Sequence, residues 1–218
     1  MEHQHARQAF DNELLQLEHD LLDMGSRAEA MVARATEALV RLDETLVREV
    51  FSQDDEVDTR DKDLEARCLR MLALQSPTGP DLRVIGTVLK VTTDIERVGD
   101  LAVDIARCTL KIERELGETK IVDIPKISLV ARHMFRKALE AFVKRDLSLV
   151  REVVRDDDDV DALYRDLRDQ IHDNMRKHPD LVVSDSWLLL AVHHFERIAD
   201  HAVNIAERVE FLITGSLP

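Results

Sequence analysis

Leu46-Val47-Arg48-Glu49-Val50 returns 103 residues later as Leu149-Val150-Arg151-Glu152-Val153. At the same shift Asp54, Asp55, Val57 and Asp58 become Asp157, Asp158, Val160 and Asp161. Between residues 28 and 64, 18 of 37 aligned positions are identical, without a gap. Helical periodicity alone reproduces apolar positions but not matching Asp, Glu and Arg, so the chain is an internal duplication. A second block repeats at a shift of 100. Glu96-Arg97, Asp100, Ala102, Val103, Ile105 and Ala106 become Glu196-Arg197, Asp200, Ala202, Val203, Ile205 and Ala206. The change of offset falls at the second turn of each unit, where insertions are tolerated.

The repeated unit reads as three helices. Phe10, Leu14, Leu17, Leu21, Met24, Ala28, Met31, Ala35, Ala38 and Leu42 recur at spacings of four and three, a stripe that faces partners over many turns. Gly25 weakens that helix locally. A second helix is predicted over about 45–75, with Leu46, Val50, Val57, Leu64 and Met71 inward. Ser76-Pro77-Thr78-Gly79-Pro80 breaks the chain. A third helix follows from about Asp81 to before Gly117, and 118–125 reads as a linker. Three more are predicted over 126–145, 147 to about 177, and about 186–213, the last two separated by His178-Pro179-Asp180. The expected fold is all-α, with two tandem three-helix bundles over 1–117 and 118–218.

Composition narrows the function. The 218 residues carry 30 Lys+Arg and 44 Asp+Glu, a formal charge of −14. Nothing in that balance neutralises nucleic-acid phosphates, so no nucleic-acid partner is expected, whereas cations and basic protein surfaces are suitable ones. Only 6 Gly and 5 Pro leave little room for a many-stranded sheet. Cys68 and Cys108 are too few for a disulfide framework and read as small buried hydrophobes in a reducing compartment. The start of the chain has no basic segment leading into an apolar stretch, and the longest apolar run, Trp187–Val192, is too short to span a bilayer. A cytoplasmic location is expected. His3 and His5 are expected to be disordered at the terminus.

Each repeat holds two acidic constellations. Glu96, Asp100 and Asp104 recur as Glu196, Asp200 and Asn204, while Asp54 and Asp58 recur as Asp157 and Asp161. Residues four apart share a helix face, and like charges so placed cost about 0.2–0.5 kcal/mol per pair, which folding alone does not favour. At about 100° per residue, Glu96, Asp100 and Asp104 fall nearly opposite the stripe of Ile95, Val98, Ala102 and Ile105 and are expected to point to solvent. The expected site is a shallow carboxylate patch suited to Mg²⁺, Mn²⁺, Ca²⁺ or Fe³⁺. His193, three residues before Glu196, would add a nitrogen and admit Fe, Mn or Zn. His194 and His201 are expected to be rotated away. The alternative is a solvated acidic face, with Arg97 and Arg197 pairing the acids at little gain.

Other signatures fail. Asp157, Asp159 and Asp161 resemble the start of a calcium loop, but Ala162 stands where Gly is required and Arg168 where Glu is required. No Walker A, GxGxxG or HExxH segment occurs, and the one Glu-x-x-His, Glu2 to His5, lies at the terminus. No catalytic constellation stands out, which a non-enzymatic adaptor with an acidic binding face would fit. A helical scaffold without metal and a metal-dependent hydrolase using the carboxylate patches are the alternatives. Direct phosphate binding is not indicated, since no helix starts with a Gly-rich basic loop.

Asp81-Leu82-Arg83, Asp94-Ile95-Glu96-Arg97-Val98-Gly99-Asp100 and Phe195-Glu196-Arg197-Ile198-Ala199-Asp200 together resemble the PhoU family of bacterial phosphate-signalling proteins. Met24-Gly25 and the paired aspartates fit as well, over nearly the whole chain. The resemblance implies two three-helix bundles related by a pseudo-two-fold. It implies a negative regulator of the phosphate-starvation response, linking the ATPase subunit of the phosphate ABC transporter to a phosphate-sensing histidine kinase. Membrane association would then be peripheral, through partners only. It also implies divalent or trivalent metal (Fe, Zn, Mn or Mg) at Glu96, Asp100, Asp104, Asp54 and Asp58 in one bundle. In the other the ligands would be Glu196, Asp200, Asn204, Asp157 and Asp161. Asn204 departs from Asp104, which would weaken the second site or recruit His193. A homodimer is compatible with the sequence, which does not decide the oligomeric state.

Overall fold

The computed structural model describes residues 2–112 and 123–216, with side chains from Arg7 onward. Six helices form: α1 (Glu2–Arg41), α2 (Glu44–Gln75), α3 (Gly79–Thr109), α4 (Ile124–Lys144), α5 (Leu147–Lys177) and α6 (Val182–Thr214). No strand occurs among the described residues. The expected linker and bundle boundary fall largely within residues 113–122, and the side chains of His3 and His5 also lie outside the described set.

The turns explain the boundaries. Leu42 and Arg145 both take positive φ, 50° and 52°, and the next residue of each repeat caps the following helix. Asp43 accepts from the Thr45 amide at 2.8 Å, and Asp146 from the Ser148 amide at 2.7 Å. Pro80, Pro125 and Pro179 occupy first turns, where a missing N–H costs nothing. Two expected ends shift for this reason. Ile124 and Pro125 belong to α4 instead of the linker. A single 3₁₀ turn, Pro179–Leu181, leads into α6, which starts at Val182, four residues early. At its far end α3 stops at Thr109, short of Gly117, in a turn where the Leu110 amide bonds Arg107 and Cys108 carbonyls.

The packing is that of two three-helix units that share one continuous hydrophobic core. The helices α1, α3, α6 and α4 form a central square, with α3 along α6 and α1 along α4. Outside it, α2 covers α1 and α3, and α5 covers α4 and α6. Glu29 and Arg132 are repeat equivalents and pair with each other, at 2.8 Å from Nε and 2.7 Å from Nη2. Two equivalent residues meet only at a symmetry axis, so the pseudo-two-fold passes there. Further along the same seam Gly25 faces Leu139; a Cβ on Gly25 would lie 2.5 Å from Leu139 Cδ1. The equivalent pair at the other end, Ser128 and Thr36, closes by a hydroxyl–hydroxyl hydrogen bond of 2.7 Å. Cys68 and Cys108 are buried free thiols, which burial pushes up to about 12.

Candidate functional site

The duplicated acids lie near one another, without contact, across the α2–α3 seam and again across the α5–α6 seam. Gly99 helps the first approach: a Cβ there would sit 3.4 Å from Val57 Cγ1 and 3.8 Å from Asp54 Oδ1. Asp54 thereby reaches over α3 toward Asp100. Its pKa is raised, first by burial, then by Asp58 and Asp100. Burial, followed by Asp100, raises Glu96, with Arg97 opposing and Asp61 and Asp58 adding. In the second seam burial raises Asp157, with Asp200 and Asp161 adding. Glu196 is raised by burial and Asp200 against His193. Asp200 is raised by burial, against which His201 pulls. Five carboxyl groups thus feel crowding by their own sign, which an added cation would relieve.

The expected solvent-facing stripe is therefore a half-buried one. The Glu96 and Glu196 side chains are each only 21% exposed. The apolar arc of α3 is wider than one stripe, because Leu101 and Val103 are buried too. That arc reaches the edge of the acidic face and leaves Glu96 in a groove. Asp100 and Asp104 are more open and accept from Arg97 and Arg107, each at 2.7 Å. Lys62 stands 3.7 Å from Asp58.

Asp61 is an acid of this seam that the repeat pattern does not reveal. It continues the Asp54–Asp58 stripe by one turn, and its pKa is raised by burial, Glu65 and Asp58. Its equivalent in the second repeat is Tyr164, whose ring lies 5.9 Å from that of His193. His193 itself replaces Thr93. His193 Nδ1 and Glu196 Oε2 stand 3.1 Å apart. Both atoms are buried and neither makes an aligned hydrogen bond.

The last position of each acid stripe, and its neighbouring histidines, belong to the seam between the units. Asn204 does not gather with Glu196 and Asp200; its Nδ2 donates to Asp94 Oδ1 at 3.4 Å. His201, expected to be rotated away from the site, bridges to the same Asp94 oxygen at 2.9 Å. At the other end of the seam His194 is buried with Nδ1 unpartnered, and burial lowers its pKa against the pull of Asp104. Asp94 and His194 are repeat equivalents, as are Asp104 and Asn204, so the two ends of the seam exchange acid for imidazole.

The donor set fits a hard cation by its chemistry: several carboxylates of raised pKa from two helices, and in the second seam a buried nitrogen–oxygen pair lacking other partners. The side chains are not already gathered. Among the described residues no three His, Cys, Asp or Glu side chains stand as a ready cage for one ion. Several face their own Arg and Lys neighbours, which a cation would have to displace. Among the described residues, no helix is long and apolar enough to cross a membrane.

The chain matches the PhoU domain twice, over residues 21–109 and 124–209. It is 34% identical over 210 residues to the phosphate-specific transport system accessory protein PhoU homolog of Clostridium acetobutylicum, covering 96% of each chain. The homolog so named in Deinococcus radiodurans is 32% identical, with 96% of this chain and 99% of that one covered. Among solved structures, PhoU from Pseudomonas aeruginosa superposes with a TM-score of 0.90 at 32% identity, over 95% of this chain and all of that one. The phosphate transport system regulatory protein PhoU from Streptococcus pneumoniae gives 0.87 at 28% identity, over 96% and 99%.

Proposed function

The chain belongs to the PhoU family, and from that premise we propose that it is a cytoplasmic, non-enzymatic regulator of phosphate uptake. It joins the ATPase subunit of a phosphate ABC transporter to a phosphate-sensing histidine kinase and restrains the phosphate-starvation response. The relatives' names support the accessory role within a phosphate transport system. We assign divalent or trivalent metal to the two acidic seams. Asp54, Asp58, Glu96 and Asp100 hold it in the first, with Asp61 beside them. Asp157, Asp161, Glu196, Asp200 and His193 hold it in the second. Asp104 and Asn204 flank the seam between the units.

The observation that carries the metal assignment is the repetition, in both seams, of carboxyl groups raised by burial and by one another. A metal bound there would supply positive charge between the helices and tie α2 to α3 and α5 to α6. Coupling between transporter and kinase requires that the protein bind one partner state more tightly than another. The test is reconstitution of kinase autophosphorylation with transporter and phosphate. Addition of this protein should lower autophosphorylation in high phosphate only. Equal effect with and without phosphate would contradict the adaptor role.

A further inference from the structure

The repeat makes the two acidic seams equivalent, but four exchanges set them apart. Thr93 in the first is His193 in the second, Asp61 is Tyr164, Lys62 is Arg165 and Arg107 is Glu207. Each exchange changes either the donors offered to a cation or the bases that compete with it. Core packing does not call for the exchanges at 93, 62 and 107, because Thr93, Lys62, Arg165, Arg107 and Glu207 are all exposed.

The bases differ first. In the first seam Arg97 stands 3.4 Å from Glu96 and 2.7 Å from Asp100, Lys62 stands 3.7 Å from Asp58, and Arg107 stands 2.7 Å from Asp104. Arg107 also pulls Asp54 down, against the burial and the acids that raise it. In the second seam, among the described residues, no lysine or arginine comes within ion-pair distance of Asp157, Asp161, Glu196 or Asp200; the one such contact is from His193 to Glu196. Arg165 donates to the Asp161 backbone carbonyl at 3.1 Å and leaves the carboxylate alone. Neither seam is a finished cage among the described residues, so side chains must close on an ion as it binds. In the first seam that closure displaces bases already in place. In the second it displaces none.

The donors differ next. The first seam offers carboxylate oxygens alone, Asp61 included. In the second, His193 Nδ1 stands 3.1 Å from Glu196 Oε2, and both atoms are buried without an aligned hydrogen bond. A buried nitrogen and a buried carboxylate oxygen without partners are costly, and a cation held between them satisfies both. Tyr164 lies against His193, with ring centroids 5.9 Å apart, where the first seam has the acid Asp61. It replaces a charge with an aromatic flank for the imidazole. Oxygen-only donor sets suit hard ions, whereas an imidazole moves the preference toward Zn²⁺ and Fe²⁺.

We propose that the two seams are different metal sites. The second, with His193, fills first and takes a transition ion of the Zn²⁺ or Fe²⁺ class; the first fills later and takes a hard ion of the Mg²⁺ class. The proposal rests on the metal assignment above. It reverses the rank that the exchange of Asp104 for Asn204 alone implies, because Asn204 turns to Asp94 in the seam between the units. One unit thereby carries a resident ion, while the other responds to the free concentration of a hard one.

The test is titration of the metal-free, untagged full chain with Zn²⁺ and, separately, with Mg²⁺, followed by calorimetry, with Co²⁺ absorption as the report of nitrogen ligation. One Zn²⁺ should bind more tightly than any other, by at least about tenfold. The variant Glu196→Ala, Asp200→Ala should lose that event, whereas Glu96→Ala, Asp100→Ala should keep it and lose Mg²⁺ binding. His193→Thr copies the first seam at a side chain that is 43% exposed, so helical content should not change. It should weaken the tight Zn²⁺ event by at least about tenfold, alter the Co²⁺ spectrum and leave Mg²⁺ binding as it was. Thr93→His, the reverse exchange at an exposed position, should tighten Zn²⁺ binding at the first seam; unchanged affinity there contradicts the role given to the imidazole. Two Zn²⁺ events of equal affinity, or a tight event that survives His193→Thr, overturn the proposal and leave the metal assignment standing. So does loss of the tight event from the Glu96→Ala, Asp100→Ala variant. A wild-type chain that binds none of the three ions overturns both.

Discussion

Gly25 and Gly99 are both buried inside helices, and they should answer alanine differently. At Gly99 the added methyl meets nothing nearer than 3.4 Å, and the second repeat already has Ala199 there. Gly99→Ala should raise stability by about 0.5–1 kcal/mol through helix propensity. At Gly25 the methyl would sit 2.5 Å from Leu139 Cδ1, so Leu139 must move toward the groove and the gain is forfeited. Thermal unfolding of the two variants side by side checks this; Gly25→Ala should melt at or below the wild type and Gly99→Ala above it. A second comparison comes from the repeat itself. Buried Asn174 donates to buried Asp185 at 2.8 Å, where the first repeat has the buried apolar pair Met71 and Ile85. Burial raises the Asp185 pKa, with Asn174 opposing. A raised folded-state pKa gives stability that is present below the ordinary carboxylate range and lost as pH rises through the folded value. The double variant Asn174→Met, Asp185→Ile should therefore be the more stable at neutral pH, by about 1–2 kcal/mol. Its advantage should shrink in acid; an advantage that is constant with pH would contradict the buried-charge account.

At the scale of elements, the turns are where sequence and structure agree by mechanism. Asp43 satisfies an amide at the start of α2, so Asp43→Ala should cost about 1 kcal/mol, read as a lower urea midpoint at unchanged slope. The helix count, the duplication and both acid stripes were legible in the sequence because they depend on spacing within one helix. The seam between α3 and α6 was not. A single apolar stripe on α3 predicts a solvent-facing Glu96, whereas that helix also buries Leu101 and Val103. The same second contact gives His201 and Asn204 their partner in Asp94, on the other unit. Such pairings depend on how two helices cross, which no local period reports. Asp61 was within reach of the same spacing rule as Asp54 and Asp58. It has no acidic equivalent in the second repeat, where Tyr164 stands, so a search for repeated acids passes over it.

For the whole molecule, the crowded acids make a statement about pH and cations together. Asp54, Glu96, Asp157, Glu196 and Asp200 all have raised folded-state pKa values. The sign is the same for each: stability falls as pH rises through the folded values. At low ionic strength and without divalent cation the melting temperature should rise on acidification from neutral pH toward the carboxylate range. Added Mn²⁺ or Mg²⁺ at neutral pH should recover the difference, since a ligand of the folded state stabilises by mass action. The net charge of −14 pushes the same way but is screened by monovalent salt, so recovery by Mn²⁺ at constant ionic strength separates the two.

The most direct test of the central claim is metal content by plasma mass spectrometry, on untagged protein purified without chelator. The wild type is compared with the quadruple variant Glu96→Ala, Asp100→Ala, Glu196→Ala, Asp200→Ala, with helicity confirmed by circular dichroism. Stoichiometric Fe, Zn, Mn or Mg in the wild type, lost from a variant that remains helical, is the predicted result. Absence of metal from both, even after titration with Mn²⁺ and Mg²⁺, would contradict the metal assignment and leave the acidic seams as docking surfaces for basic partners.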